Sequence, residues 1–136
     1  MKILMLAGPE RSGKTTTINM VYDYLIMNRH AQPIIPRPIS TKIQDFEAVL
    51  NCLNLKGEQK KVALASMGDY ATEVIHYMSF YEGMGCDVLI CACREYFSNP
   101  FKRLQGRYHN INPPIRKIAA NNIDNTNAMN TIIQQI

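Results

Sequence analysis

The apolar positions of this chain change period along its length. Ile3 to Ala7 form an unbroken apolar run that stops at Gly8, which predicts a short buried strand over residues 2–7. Ile18, Val21, Tyr22 and Leu25 then recur at three- and four-residue spacing, which predicts a helix over 14–30. The stretch "AQPIIPRPIS", residues 31–40, holds three prolines and reads as a loop. Residues 45–53 and 60–66 read as strands on either side of the turn-like "NLKGEQ", which predicts an antiparallel hairpin. Val74, Ile75, Met78 and Tyr81 share one helical face and predict a helix over 70–84. "DVLICA", 87–92, is apolar without a break after its first residue and predicts a second fully buried strand. Residues 94–114 are polar and basic and end in Pro113–Pro114, which suits a loop or a short helix. "RKIAA" predicts a last short strand, and "NTNAMNTIIQQI" a closing helix with Asp124 or Asn125 as its N-cap.

Strands that alternate with helices predict an α/β fold whose mainly parallel sheet is covered on both faces. Such sheets hold ligands at the carboxyl ends of their strands. The 136 residues match one domain, taken as 1–136. A hydrophobic fraction of 46% and a charged fraction of 19% suit a packed core and argue against disorder. No apolar run approaches the roughly 18 residues that a membrane helix needs. The opening apolar run is also too short for a secretory signal, so a cytoplasmic protein is expected. Cys52, Cys86, Cys91 and Cys93 show no zinc-like pairing, and Cys91 and Cys93 lie within an apolar run, so they read as buried packing residues. Tyr70, Tyr77 and Tyr81 likewise read as packing residues. The net charge of +4 is uneven: Arg94, Lys102, Arg103, Arg107, Arg116 and Lys117 fall in one segment with a single acid, Glu95. That concentration predicts an anionic ligand at one place. It does not predict a general nucleic-acid surface, since Tyr96, Phe97, Phe101 and Tyr108 form no stacking motif among the basic residues.

The chemistry lies where the first strand breaks. Gly8, Gly13, Lys14 and Thr15 match G-x-x-x-x-G-K-[ST] without a mismatch, between the strand and helix that such a loop requires. Gly8 lets the chain turn out of the strand, and Gly13 lets backbone N–H groups close around phosphate oxygens. The following helix aims its free N–H groups and partial positive charge at the same place. Lys14 suits the β- and γ-phosphates, and the Thr15 hydroxyl suits Mg²⁺. The candidate cofactor-binding residues are therefore Gly8, Pro9, Glu10, Arg11, Ser12, Gly13, Lys14, Thr15 and Thr16.

On this motif and its flanks, residues 2–25, the chain resembles the P-loop NTPase superfamily. A weaker similarity in element order, with Ser-x-Gly-Asp at Ser66 to Asp69, resembles the nucleoside- and nucleotide-kinase-like branch. The resemblance implies a three-layer α/β/α P-loop fold that binds a nucleoside triphosphate with Mg²⁺. The lack of Asn-Lys-x-Asp favours ATP. It places Ser66 or Asp69 on the strand next to the first, across from the loop. Asp69 is then a candidate metal and catalytic residue with Thr15 and Lys14, although Asp69 also suits the N-cap of the 70–84 helix. Arg94, at the end of the buried strand, is the third catalytic candidate, placed to neutralise a transferring phosphoryl group. Lys102, Arg103 and Arg107 resemble a shortened lid in position and charge, expected to close over bound nucleotide across 96–110. The expected activity is phosphoryl transfer to a small acceptor or hydrolysis. The alternative is a nucleotide-binding regulatory module with little turnover.

Overall fold

The computed structural model describes residues 1–40, 42–67, 71–94 and 115–136. In chain order these form β1 (Lys2–Ala7), α1 (Lys14–Asn28), β2 (Gln32–Ile35), β3 (Glu47–Leu53), β4 (Gln59–Ala65), α2 (Ala71–Gly83), β5 (Val88–Cys93), β6 (Ile115–Arg116) and α3 (Asn122–Gln135). The six strands make one sheet in the order β2-β3-β4-β5-β1-β6.

Side chains of β1 alternate between the two faces of this sheet, as the pleat requires. Leu4 and Leu6 join Ile18, Val21 and Leu25 of α1 and Ala128 and Ile132 of α3 in one core. Ile3, Met5 and Ala7 join Val74, Tyr77, Met78 and Tyr81 of α2 in the other. Helices therefore cover both faces, and the apolar runs of β1 and β5 are buried throughout because both sides of each strand are packed. Cys52, Cys86, Cys91 and Cys93 are all buried free thiols within these cores. Burial pushes the Cys52 thiol up to about 11 and the Cys91 thiol further, which keeps both protonated. Tyr77 and Tyr81 pack in the core as expected, whereas Tyr70 lies outside the described residues.

The sheet is mixed, not mainly parallel. The ladders β4–β5, β5–β1 and β1–β6 are parallel, while β2–β3 and β3–β4 are antiparallel. The tight turn at 54–58, closed by Asn54 and Glu58, forces β3 and β4 to run in opposite directions as the predicted hairpin. A further strand, β2, forms inside the stretch read as a proline loop. Pro33 is tolerated there because β2 is an irregular, exposed edge strand. A second correction concerns order: β4 is not the neighbour of β1, because β5 stands between them. Ser66, at the end of β4, is thus one strand further from the loop than the resemblance implies.

The closing helix begins earlier than expected. Asn121 is its N-cap, its side chain accepting from the N–H of Asp124 at 2.9 Å. Asp124 and Asn125 lie inside the first turn, where their oxygens serve other partners described below.

Behind the loop, α1 packs against both the sheet and α3 in one apolar core. Leu25 is fully buried there. Leu25→Ala is expected to lower the unfolding free energy by about 2–5 kcal/mol. Ile39→Ala, at a fully exposed position, should stay within about 0.5 kcal/mol of the parent. Urea denaturation of the two variants checks the contrast.

Candidate functional site

Register determines what gathers around Gly8. Ala7 pairs with Cys93 on one side and with Arg116 on the other. The carboxyl ends of β5, β1 and β6 therefore finish level, placing Arg94, Gly8 and Lys117 side by side. Backbone hydrogen bonds continue one step past the strands, from Gly8 N–H to Cys93 at 3.3 Å and from Lys117 N–H to Ala7 at 2.6 Å.

The loop from Gly8 to Gly13 has little freedom. A Cβ on Gly8 would lie 2.7 Å from the Lys117 carbonyl oxygen and 2.7 Å from Ser12 Oγ. Arg11 and Gly13 both adopt left-handed backbone, with φ of 60° and 87°, and the turn is closed by Ser12 N–H donating to Pro9 at 3.3 Å. A Cβ on Gly13 would lie 2.5 Å from Asn125 Oδ1 and 3.1 Å from Ala120 Cα. The segment 117–125 thus forms a wall behind the loop, and only glycine fits against it at both points. Ser12 is buried beneath, and its Oγ has no hydrogen-bond partner among the described residues.

That wall is held by polar bonds. Lys117 is buried, and its Nζ donates to Asp124 Oδ2 at 2.6 Å, to the Ala119 carbonyl at 3.1 Å and to Asn125 Oδ1. Asp124 also accepts from the N–H groups of Ile118 and Ala119 at 3.1 and 3.2 Å. Lys117 falls within the basic segment of the sequence, but burial and its ion pair remove it from any exposed basic patch.

Gly13 is the N-cap of α1 and supplies no side chain to cap it, and the first turn carries no acid. The first-turn N–H groups therefore lack intrahelical acceptors and point, with the positive end of the helix dipole, out of the loop. Lys14 folds back along the loop, its Nζ donating to the carbonyls of Gly8 and Pro9 at 2.7 Å each. In front lies a cavity of about 580 Å³ lined by Glu10, Arg11, Gly13, Lys14, Thr15, Thr16 and Arg94 among others. Arg94 is mostly buried and lies 3.6 Å from Glu10 Oε1 in an ion pair.

Of the residues singled out in sequence, Glu10, Arg11, Gly13, Lys14, Thr15, Thr16 and Arg94 line this one cavity, with Gly8, Pro9 and Ser12 forming the loop beneath. Asp69, Glu95, Lys102, Arg103 and Arg107, and with them the expected lid across 96–110, lie outside the described residues. Ser66, also singled out in sequence, lines the same cavity, as does Asp45, which was not. Ser66 is buried at the end of β4, and Asp45 precedes β3. Asp45 Oδ1 accepts from Thr15 Oγ1 at 2.7 Å and from Ser66 Oγ at 3.1 Å, while Ser66 Oγ accepts from the N–H of Phe46 at 2.8 Å. Sequence reasoning passed over Asp45 because it sits at the start of a strand, whereas ligands in parallel sheets gather at strand ends. The usable signal was the hairpin itself: an antiparallel strand begins where its partner ends.

Hydroxyl and carboxylate oxygens at one edge of a cavity suit a hard cation such as Mg²⁺. Among the described residues, no three His, Cys, Asp or Glu side chains gather to hold a metal by themselves. In comparison with known proteins, no family model, no curated protein and no solved structure matches this chain.

Two outcomes follow from the wall. Gly13→Ala should destabilise the fold by at least about 1–2 kcal/mol through the left-handed backbone alone, and adding Asn125→Ala should recover the part due to the clash. Urea denaturation of the single and double variants separates the two contributions. The second outcome concerns acid. The Lys117 hydrogen bond, reinforced by backbone N–H groups, holds the Asp124 carboxyl below its usual range. A depressed carboxylate stabilises the fold above its unfolded pKa of about 3.9, and that contribution is lost as pH falls below it. Unfolding midpoints measured from pH 6 down to about pH 2 should fall less steeply for Asp124→Asn than for the parent.

Proposed function

We propose that this chain binds a nucleoside triphosphate, ATP in preference to GTP, with Mg²⁺ at the Gly8–Thr15 loop, and transfers its terminal phosphoryl group to a small acceptor or to water. The observation that carries this reading is the N-terminus of α1 at a strand-to-helix loop, where Gly13 supplies no side-chain cap, with the Lys14 ammonium resting on loop carbonyls 2.7 Å away. That arrangement offers backbone donors and a cation to one anion, with a cavity in front to receive it.

Each residue has a role on this reading. The first-turn N–H groups of α1 cradle the phosphates. Lys14 exchanges the carbonyls of Gly8 and Pro9 for phosphate oxygens. Thr15 offers its hydroxyl to Mg²⁺, which when bound neutralises phosphate charge. Arg94, in the cavity and paired with Glu10, stabilises charge on the phosphoryl group in transit. Glu10 holds the Arg94 guanidinium near the loop until a phosphate competes for it.

Lys14→Ala removes a charge-assisted contact worth about 1.5–3 kcal/mol. Affinity for Mg·ATP measured by calorimetry should fall tenfold to more than a hundredfold, with the fold intact. Unchanged affinity would contradict the nucleotide reading. Phosphate release and phosphorylation of a nucleoside and nucleotide panel, by wild type and Arg94→Ala, then separate turnover from binding alone: Arg94→Ala should slow turnover far more than it weakens binding.

A further inference from the structure

A P-loop supplies only one oxygen from the protein to Mg²⁺, and a carboxylate normally accompanies it, the phosphates and waters completing the shell. The carboxylate expected from the sequence, Asp69, lies outside the described residues, and Ser66, just past β4, donates its hydroxyl to Asp45. We propose that Asp45 is the carboxylate that holds Mg²⁺ with Thr15, a role that rests on the nucleotide reading above.

Four observations converge on Asp45. It lines the same cavity as Lys14, Thr15 and Arg94. Its Oδ1 lies 2.7 Å from Thr15 Oγ1, and neighbouring ligands in a Mg²⁺ octahedron with bonds of about 2.0–2.1 Å lie roughly 2.9 Å apart. The Thr15 hydroxyl donates its proton to Asp45, so its lone pairs are the part left to face a cation. The carboxylate is also oriented from behind. Phe46 N–H donates to Ser66 Oγ at 2.8 Å, and Ser66 donates onward to Asp45 at 3.1 Å, the kind of outer contact that fixes a metal ligand. Among the described residues, the other acid that lines the cavity, Glu10, is turned toward Arg94.

The topology explains why an aspartate before a strand can do this. Because β3 is antiparallel to β4, Glu47 pairs with Ala65, and Ser66 N–H donates to Phe46 at 3.0 Å. The residues that precede β3 therefore reach the edge where β4, β5 and β1 end.

Charge gives the proposal an uncommon signature. Without metal, a carboxylate beside the loop repels a triphosphate; with metal, it draws the Mg²⁺ complex in. Asp45→Asn should therefore leave metal-free ATP affinity equal or higher. It should also cut the gain in affinity that Mg²⁺ confers by about tenfold or more. Asn keeps an acceptor oxygen for Thr15 and Ser66, and Asp45 is exposed, so the variant should fold. Calorimetric titration of ATP with EDTA and with Mg²⁺, on wild type and Asp45→Asn, reads both quantities. Electron paramagnetic resonance of Mn²⁺ with ATP and each protein provides a second readout, in which less Mn²⁺ should be bound by the variant. A full Mg²⁺ gain in Asp45→Asn, or an equal loss with and without metal, overturns the assignment of Asp45 while leaving the nucleotide reading standing. Wild type that binds no ATP under either condition overturns the nucleotide reading, and Asp45 falls with it.

Discussion

Two places where a Cβ cannot fit govern this structure. Gly8 lies against the Lys117 carbonyl and Gly13 against Asn125 and Ala120, so the loop between them is pressed onto the segment that joins β6 to α3. That segment cannot yield easily, because Lys117, Asp124 and Asn125 lock it with a partly buried ion pair and hydrogen bonds. The loop is therefore shaped by contact from behind rather than by its own side chains. Its backbone is left-handed at Arg11 and Gly13; glycine adopts this freely, but at Arg11 it costs energy that the wall and the helix must offset. A concavity of backbone donors prepared in this way needs little reorganisation to accept an anion.

The hairpin has an equally direct consequence. In a fully parallel sheet the carboxyl edge collects only residues that follow strands. Here β3 runs the other way, so the same edge also receives Asp45, which precedes a strand. One side of the cavity is then basic, with Arg11, Lys14 and Arg94, and the other carries the oxygens of Thr15, Asp45 and Ser66. On the function proposed above, a nucleotide polyphosphate with its cation presents charges that match both sides.

Much of this was legible in the sequence where local signals agree. The break in the apolar run at Gly8, the spacing of Ile18, Val21, Tyr22 and Leu25, and the turn at Asn54 to Glu58 each specify an element through nearby residues. The less legible features depend on partners distant in sequence. Pro33 and Pro36 mark a loop by composition, yet β2 forms because β3 offers it an edge. Asp124 suits an N-cap by type, yet Lys117 and the preceding N–H groups claim its carboxylate, and Asn121 takes the cap. The place of β5 between β4 and β1 leaves no trace in hydrophobic period, since both arrangements bury the same apolar runs. Asp45 escaped notice for the same reason: its value lies in standing 2.7 Å from Thr15, thirty residues away.

The central claim is that the backbone at the start of α1 receives phosphate. Amide resonances read this directly, without depending on turnover. With ¹⁵N-labelled protein, titration of Mg·ATP should shift the amide signals of Gly13, Lys14, Thr15 and Thr16 together and to saturation, while those of Val74 and Met78 on α2 stay in place. Saturating Mg·ATP that leaves the four loop amides unmoved would contradict the account.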